Sequence, residues 1–170
     1  HSVSGGTDIV SCFMLGIPTL PVYSGEIQGP GLGMNIDVYN EKGKPTKKTG
    51  ELVCKTPFPS KPIYFWNDKL NRKYKSAYFE KFPNIWAHGD YVKKTNNGGY
   101  VIFGRSDATL NPGGVRIGTG EIYNSLQKFH WIEDCLATGY ITENDEKIVL
   151  FIKLSNSKIT IDFREVLKKH

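Results

Sequence analysis

The sequence predicts an α+β protein in two parts, and three observations lead to this prediction. Short apolar runs separated by Gly and Pro fill the first part, which is typical of β-structure. Alternating helix and strand patterns begin at Glu121, and a polar, glycine-rich segment precedes them. We place the change at Arg105 to Asp107. The expected organisation is therefore a β-rich domain over 1–106 and part of a smaller α+β domain over 107–170.

The β-rich part opens with a predicted meander over residues 17–58. It contains three apolar runs bounded by turn residues, IPTLPVYSG, GMNIDVYN and ELVCKTP. The lysine-rich segment from Asn40 to Thr49 separates the last two runs and predicts a hairpin connection. GPGLG at 29–33 resembles a dinucleotide-binding loop only loosely, because its spacing is wrong and no helical pattern follows. We predict a tight turn there.

A helix and a second hairpin are predicted next. Residues 66–82 predict an amphipathic surface helix, because apolar side chains recur at helical spacing. These side chains are Leu70, Tyr74, Ala77 and Tyr78. A second interpretation is a platform for stacking RNA bases, formed by Trp66, Arg72, Tyr74 and Tyr78. IWAHGDYVKK, the turn NNGG and YVIFGR then predict a hairpin.

The smaller part alternates helix and strand. GEIYNSLQKF predicts a helix, DCLATGYI and IVLFIKL predict strands around the polar turn TENDEK, and a last helix is expected after Asp162. Its apolar side would carry Phe163, Val166 and Leu167. The chain enters a glycine-rich segment at once and stops within this helical pattern. We therefore expect a fragment of a longer protein.

Composition narrows the class of protein and of partner. With 39% hydrophobic and 12% aromatic residues in 170, the chain predicts a globular domain, and it has no signal-peptide pattern or membrane-length apolar run. We expect a cytosolic protein without a membrane partner. The net charge of +5 is spread along the chain, which favours phosphorylated small molecules over nucleic acid. The oligomeric state stays open.

Cysteines and histidines give no sign of a disulfide framework or a metal cage. Cys12, Cys54 and Cys135 are far apart and form no C-x-x-C pair, so we expect small buried hydrophobic residues at these positions. No histidine has a Cys, His or carboxylate at the spacing of metal ligands. A metal held by protein side chains alone is not expected.

Two short motifs carry groups suited to a nucleotide. The phosphate loop G-x-x-x-x-G-K-[ST], H-E-x-x-H and G-x-S-x-G are all missing. In SGGTD at 4–8, however, two glycines allow backbone N–H groups to approach an anion, and a hydroxyl and a carboxylate follow. HGD at 88–90 ends a predicted strand with a carboxylate that could accept hydrogen bonds from two ribose hydroxyls. Each motif taken alone could also be a simple turn.

Three motifs in order carry a resemblance to a known family. SGGTD, YFEKFPNIWAHGDY and GRSDATLNPGGVRIGTGEIYN together resemble the adenylate-forming family that includes the acyl-CoA synthetases. The resemblance implies a two-step reaction. A carboxylic acid attacks the α-phosphate of ATP to give an acyl-adenylate and pyrophosphate, and coenzyme A then displaces AMP. The implied cosubstrates are ATP and coenzyme A, and the implied metal is Mg²⁺.

The resemblance also implies roles for residues of the first two motifs. Gly5 and Gly6 would let the backbone approach the nucleotide, and the catalytic Thr7 would hydrogen-bond the α-phosphate. Asp8 would help to hold Mg²⁺. Asp90 matches the family carboxylate that binds the ribose hydroxyls, and Arg105 would lie beside the same ribose.

The resemblance implies that the third motif contains a hinge between two domains. Asp107 stands at the position of the family's hinge, about which a small carboxy-terminal domain rotates between two poses. Gly113 and Gly114 form the tip of a hairpin that would approach the pantetheine of coenzyme A, where a side chain would obstruct. The catalytic Arg116 would face phosphate in one pose. Gly113 and Val115 depart from the common family pattern, in which Ser and an aromatic ring are frequent.

The last two expectations concern the acid that the protein binds and whether this chain is a complete enzyme. Acetyl-CoA synthetases have a tryptophan pair where this chain has Ser4-Gly5, so a larger acid such as a four-carbon keto acid is expected. Acetate and propionate remain alternatives. The family's phosphate loop lies upstream of SGGTD and its catalytic lysine lies beyond His170, so we expect the chain to be inactive alone. The alternative from another class is a non-enzymatic interaction module derived from such a synthetase.

Overall fold

A computed structural model describes residues 2–142 and 145–155 of the chain. Within them, two compact units meet at the boundary between Thr109 and Leu110 in the sequence. Each unit combines antiparallel sheet with one α-helix, which confirms the α+β class. The assignment of 1–106 and 107–170 to the large and small domains of an adenylate-forming enzyme stays a prediction.

The first unit contains two antiparallel sheets. The three-stranded sheet has the order β1 (Ser4–Gly6), β2 (Ser11–Leu15) and β3 (Gly29–Pro30). The four-stranded sheet has the order β4 (Ile36–Tyr39), β5 (Gly50–Cys54), β6 (Trp86–Lys94) and β7 (Tyr100–Arg105). Both predicted hairpins are confirmed, because residues 40–49 connect β4 to β5 and residues 95–99 connect β6 to β7.

The predicted meander is wrong over residues 17–28, which contain no strand. Pro18 and Pro21 lack the N–H groups that a ladder needs. The side chain of Gln28 instead holds this segment as a loop. Its Nε2 donates to the carbonyls of Ile17, Leu20 and Pro21, and its Oε1 accepts the N–H of Ile17. The first two residues of GPGLG form β3, and a tight turn follows over 31–34, as predicted, with Met34 N–H bonded to Gly31 O.

The helix predicted over residues 66–82 is shorter than expected, since α1 spans Arg72–Phe79. Leu70 and Asn71 adopt φ angles of 64° and 54°, so the chain turns left-handed immediately before the helix begins. The Asp68 carboxylate accepts the N–H groups of Lys73 and Tyr74 at 3.0 and 2.9 Å and so satisfies two donors of the first turn. Leu70 is exposed rather than part of the buried helix face.

The core of the first unit is centred on Trp86, of which 2% is exposed. The Tyr78 ring stacks on Trp86 with centroids 3.7 Å apart, and Tyr74 is buried beside it. Two rings of the proposed RNA platform therefore belong to the core and are unavailable for stacking on bases. Cys54 is buried as predicted, whereas Cys12 and Cys135 are only half-buried.

The second unit follows the predicted order of helix, strand, turn and strand. Its elements are α2 (Thr119–Leu126), β8 (Ile132–Ile141) and β9 (Glu146–Leu154), and β8 pairs with β9. Leu126 on the helix and Ala137 in the sheet are both buried. The helix predicted after Asp162 lies outside the described residues. In the part of the chain that the structure describes, no helix is both long and apolar enough to cross a membrane.

Candidate functional site

Two hydrogen bonds join the first and second motifs. Ser4 Oγ donates to Asp90 Oδ2 at 2.9 Å, and His88 Nε2 donates to Gly5 O at 3.0 Å. Each bond connects β1 of the three-stranded sheet to β6 of the four-stranded sheet. Residues more than eighty positions apart in the sequence are thereby held side by side. The structure brings together SGGTD and HGD, as the family resemblance implies.

The HGD motif lies inside β6 and does not end a strand, which corrects the expectation from sequence. In the pairing of β5 with β6, Glu51 stands opposite Tyr91 and Val53 opposite Ala87, so residues 88–90 face Leu52 alone. This irregularity is a β-bulge, a feature that can turn a polar side chain out of a sheet. Gly89 has φ +87° at its centre, a conformation that glycine adopts without strain.

Arg105 connects the bulge to Asp107. Its Nη1 donates to His88 O at 3.2 Å and to Asp90 Oδ1 at 3.4 Å. Its Nε and Nη2 donate to the two carboxylate oxygens of Asp107 at 3.3 and 3.2 Å, a bidentate arrangement. Ser4, Asp90, Arg105 and Asp107 therefore form one continuous polar chain.

Charge and burial shift the pKa values of two of these groups in opposite directions. The hydrogen bond from Arg105 lowers the pKa of Asp107 more than burial raises it. Burial alone would lower the pKa of Arg105, but the hydrogen bond and charge of Asp107, followed by the charges of Asp90 and Glu51, raise it above its ordinary value. Both side chains are thus charged at neutral pH. Asp90 is the least exposed of the three charged side chains, with 13% of its side chain exposed against 52% for Arg105 and 70% for Asp107.

Thr7 and Asp8 are exposed in a single 3₁₀ turn, Thr7–Ile9, that follows β1. The Tyr78 hydroxyl donates to Asp8 Oδ2 at 2.5 Å. Burial, followed by this hydrogen bond, raises the pKa of Tyr78. The hydroxyl therefore stays protonated and acts as a donor that orients Asp8.

The glycines of SGGTD have a packing role. A Cβ atom at Gly5 would lie 2.2 Å from Ser11 O, and one at Gly6 would lie 2.9 Å from His88 Cε1. The close approach of β1 to β2 and to His88 therefore requires glycine at both positions. Ser4 is buried against Asp90. The inference about the size of the substrate from Ser4-Gly5 stays a prediction. The structure adds a second reason for a glycine at position 5, which is the close approach of β1 to β2.

The glycine tip of the third motif belongs to the second unit. Leu110 and Ile117 exchange backbone hydrogen bonds of 2.9 and 2.8 Å, which closes the loop that contains Gly113, Gly114 and Arg116. Both glycines have positive φ, and a Cβ atom at either would meet open space. The Asp145 carboxylate accepts the Gly113 N–H at 2.8 Å. A tight turn is confirmed here, whereas the contacts with coenzyme A stay predictions.

Several known proteins are similar to this chain in sequence and fold. An acetoacetyl-coenzyme A synthetase from Rhizobium meliloti (strain 1021) is 57% identical over 155 residues, which are 91% of this chain. The chain is similar to acetoacetyl-CoA synthetases along most of its length. It spans 24% of the length of that relative. The acetoacetyl-CoA synthetase of Gallus gallus is 50% identical over 92% of this chain and 24% of its own length.

A solved acetoacetyl-CoA synthetase has the same fold over the matched segment. The enzyme from Streptomyces lividans superimposes with a TM-score of 0.84 and 42% identity, covering 94% of this chain and 24% of its own. No protein-family model matches the chain. The resemblance to acetoacetyl-CoA synthetase was visible in the sequence too, in PTLPVYSGEIQGPGLGM and GELVCKTPFPSKPIYFWND beside the three motifs.

Sequence reasoning missed the residues that support the motifs. Tyr78 bonds Asp8, and Glu51 bonds both Lys81 and Gly89, across 30 to 70 positions in the chain. His88 was quoted within HGD, but its bond to Gly5 was not foreseen. The only signal was Glu51 itself, a charged residue within the otherwise apolar strand GELVC. Among the described residues, no three His, Cys, Asp or Glu side chains are grouped as a metal cage would need.

Proposed function

We propose that the protein carrying this chain is an AMP-forming acid–thiol ligase of the cytosol. It joins acetoacetate to coenzyme A and converts ATP to AMP and pyrophosphate. The observation that carries this proposal is the contact of Ser4 with Asp90, which holds together SGGTD and HGD, the motifs that would bind the phosphate and the ribose in an adenylate-forming site. The similarity to named acetoacetyl-CoA synthetases supports the choice of acid.

In the first step, a carboxylate oxygen of acetoacetate attacks the α-phosphorus of ATP, and the bond to pyrophosphate breaks. The Thr7 hydroxyl would donate to an α-phosphate oxygen, whose negative charge increases as the attack proceeds. The 3₁₀ turn exposes Thr7 and so suits this role. Gly5 allows the preceding strand to lie close to β2, and Gly6 allows it to lie close to His88.

Asp8 is the residue that would hold Mg²⁺. An exposed carboxylate with one oxygen engaged by Tyr78 fits an ion that usually takes one or two protein carboxylates and completes its shell with phosphate and water. The metal supplies neutralisation of the phosphate charge when it is bound. Tyr78 restricts the rotamers of Asp8 and presents it beside Thr7.

Asp90 would accept hydrogen bonds from the two ribose hydroxyls of ATP. Ser4 and Arg105 already bind one oxygen each of this carboxylate and so fix its plane. A carboxylate in a fixed orientation loses less entropy when it binds a diol, and a hydrogen bond to a charged group is stronger than a neutral one. Arg105 would then lie beside the same ribose.

In the second step, the thiol sulfur of coenzyme A attacks the acyl carbonyl and AMP leaves with the bonding electrons. Asp107 would serve as the hinge for this change of pose. The Gly113–Gly114 tip would approach pantetheine, and Arg116 would face phosphate. The open space around both glycines is compatible with a close approach of a ligand.

The test is acid-dependent exchange between ATP and labelled pyrophosphate, catalysed by the full-length product of the gene. We expect strong exchange with acetoacetate and weak exchange with acetate, propionate or butyrate. Asp90→Asn should raise the KM for ATP by about tenfold or more. Asp37→Asn is the matched control, because Asp37 pairs with Lys55 in the same sheet and lies outside the site.

Each alternative gives a different result in this assay. Exchange with propionate or acetate alone would keep the ligase chemistry and refute the choice of acetoacetate. No exchange with any of these acids would refute the ligase and favour an interaction module. An unchanged KM for ATP in Asp90→Asn would refute the ribose assignment.

A further inference from the structure

Glu51 is a buried carboxylate beside the ribose motif. It lies on β5 and only 3% of the residue is exposed. Its Oε2 accepts a hydrogen bond from Lys81 Nζ at 2.6 Å, and its Oε1 accepts one from the Gly89 N–H at 2.6 Å. Burying a charge is costly unless both a counter-charge and hydrogen bonds compensate it. Both are present here.

The bond to Gly89 replaces a bond that the sheet does not supply. Residues 88–90 bulge out opposite Leu52, so the ladder between β5 and β6 is interrupted at Gly89. A buried backbone N–H without an acceptor destabilises the fold. The Glu51 side chain accepts this hydrogen from the neighbouring strand and so holds the bulge in its observed shape.

The shape of the bulge determines where the two ribose-motif side chains lie. Asp90 follows Gly89 directly and reaches Ser4 Oγ at 2.9 Å. The Arg105 guanidinium lies over Gly89, so closely that a Cβ atom on Gly89 would be 2.3 Å from its Nη2. A change in the Gly89 peptide would therefore move both the carboxylate and the guanidinium.

We infer that Glu51 is a positioning residue for the ribose hydroxyls of the nucleotide, acting through the Gly89 peptide on Asp90 and Arg105. This inference rests on the proposed function, in which Asp90 binds those hydroxyls. Lys81 follows α1 in the sequence, and its ammonium group holds the Glu51 side chain in place through the hydrogen bond to Oε2. The pair Glu51–Lys81 thus connects the chain after α1 to the site.

The experiment compares ATP with 2′,3′-dideoxy-ATP in the full-length protein. The ratio of kcat/KM for the two nucleotides, measured as acetoacetate-dependent pyrophosphate release, gives the ribose preference. We expect a wild-type preference of about tenfold to hundredfold. Glu51→Met keeps the volume and removes the acceptor, and it should lower this preference by about tenfold. Glu51→Gln keeps a neutral acceptor for Gly89 and should give an intermediate preference.

The control is Asp37→Asn, which removes a lysine-paired carboxylate from the same sheet without touching the bulge, and it should keep the wild-type preference. A purely structural role for Glu51 would slow the reaction of both nucleotides equally. A wild-type preference in Glu51→Met would therefore overturn the inference. If that variant does not fold, a wild-type preference in Glu51→Gln overturns it. A wild-type protein without any preference would refute the ribose role of Asp90 itself.

Discussion

Gly89 and Gly98 have the same positive φ angle in different surroundings, which makes them a matched pair for a test of the site. Both have φ +87°. A Cβ atom at Gly98 meets nothing within 4 Å, whereas at Gly89 it would lie 2.3 Å from Arg105 Nη2 and 2.8 Å from Arg105 Cζ. An alanine at Gly98 therefore introduces backbone strain alone. An alanine at Gly89 introduces the same strain and also displaces Arg105.

The two effects have different magnitudes and different readouts. Left-handed backbone costs a non-glycine residue about 1–2 kcal/mol, so both variants should lose that much free energy of unfolding. The displaced Arg105 side chain is 52% exposed, and its ion pairs add only about 0.2–1 kcal/mol to the loss. The KM for ATP should respond far more, because Arg105 and Asp90 would no longer be aligned. We expect an increase of about tenfold or more for Gly89→Ala.

The assays are urea titration for stability and initial rates of pyrophosphate release at varied ATP for the site. Gly98→Ala should match Gly89→Ala in stability to within about 1 kcal/mol and keep the wild-type KM. Equal KM values in the two alanine variants would refute the reasoning, since they would show that Arg105 does not act at the nucleotide. A large stability loss confined to Gly89→Ala would show that the clash is with the fold and not with a movable side chain.

Three further predictions concern single contacts. Tyr78→Phe removes the donor to Asp8 and should raise the Mg²⁺ concentration needed for half-maximal activity by several-fold, as measured by metal titration. The pKa of Asp107, measured by NMR, should lie below its ordinary value of 3.8 and return towards it in Arg105→Gln. Because this pKa is lowered on folding, the stability from the pair is present above pH 3.8 and is lost as the pH falls through the folded value. Trp86→Ala should lower the free energy of unfolding by about 3–5 kcal/mol in urea titration, because it leaves a cavity against Tyr78.

Local signals were sufficient for much of the fold. The NNGG turn between two apolar runs correctly predicted the β6–β7 hairpin, and the pattern after Glu121 predicted α2, β8 and β9. These elements depend on contacts between residues close in sequence, which periodicity and turn residues report directly. The three motifs were identified because each is contiguous in the chain.

Contacts between distant residues limited the rest. The start of α1 depends on left-handed Leu70 and Asn71. Asparagine adopts this conformation more often than most residues, but leucine adopts it rarely, so the sequence does not predict the pair. The loop over 17–28 is fixed by the side chain of Gln28, which the apolar pattern does not reveal. The sequence around Glu51 does not reveal its role as an acceptor, because that role depends on a bulge in another strand.

The hydrogen bonds between the motifs contribute accuracy of position more than stability. A typical hydrogen bond adds only about 0.5–1.5 kcal/mol to stability. The burial of the apolar side chains around Trp86 contributes far more free energy. However, Ser4 and His88 each connect one sheet to the other, so a small shift between the sheets would break both bonds at once. Thr7 and Asp90 lie on opposite sides of this junction, so in the proposed function the junction would set the distance between the phosphate and ribose contacts. A site that would bind the phosphate and the ribose of one nucleotide needs that distance to be constant.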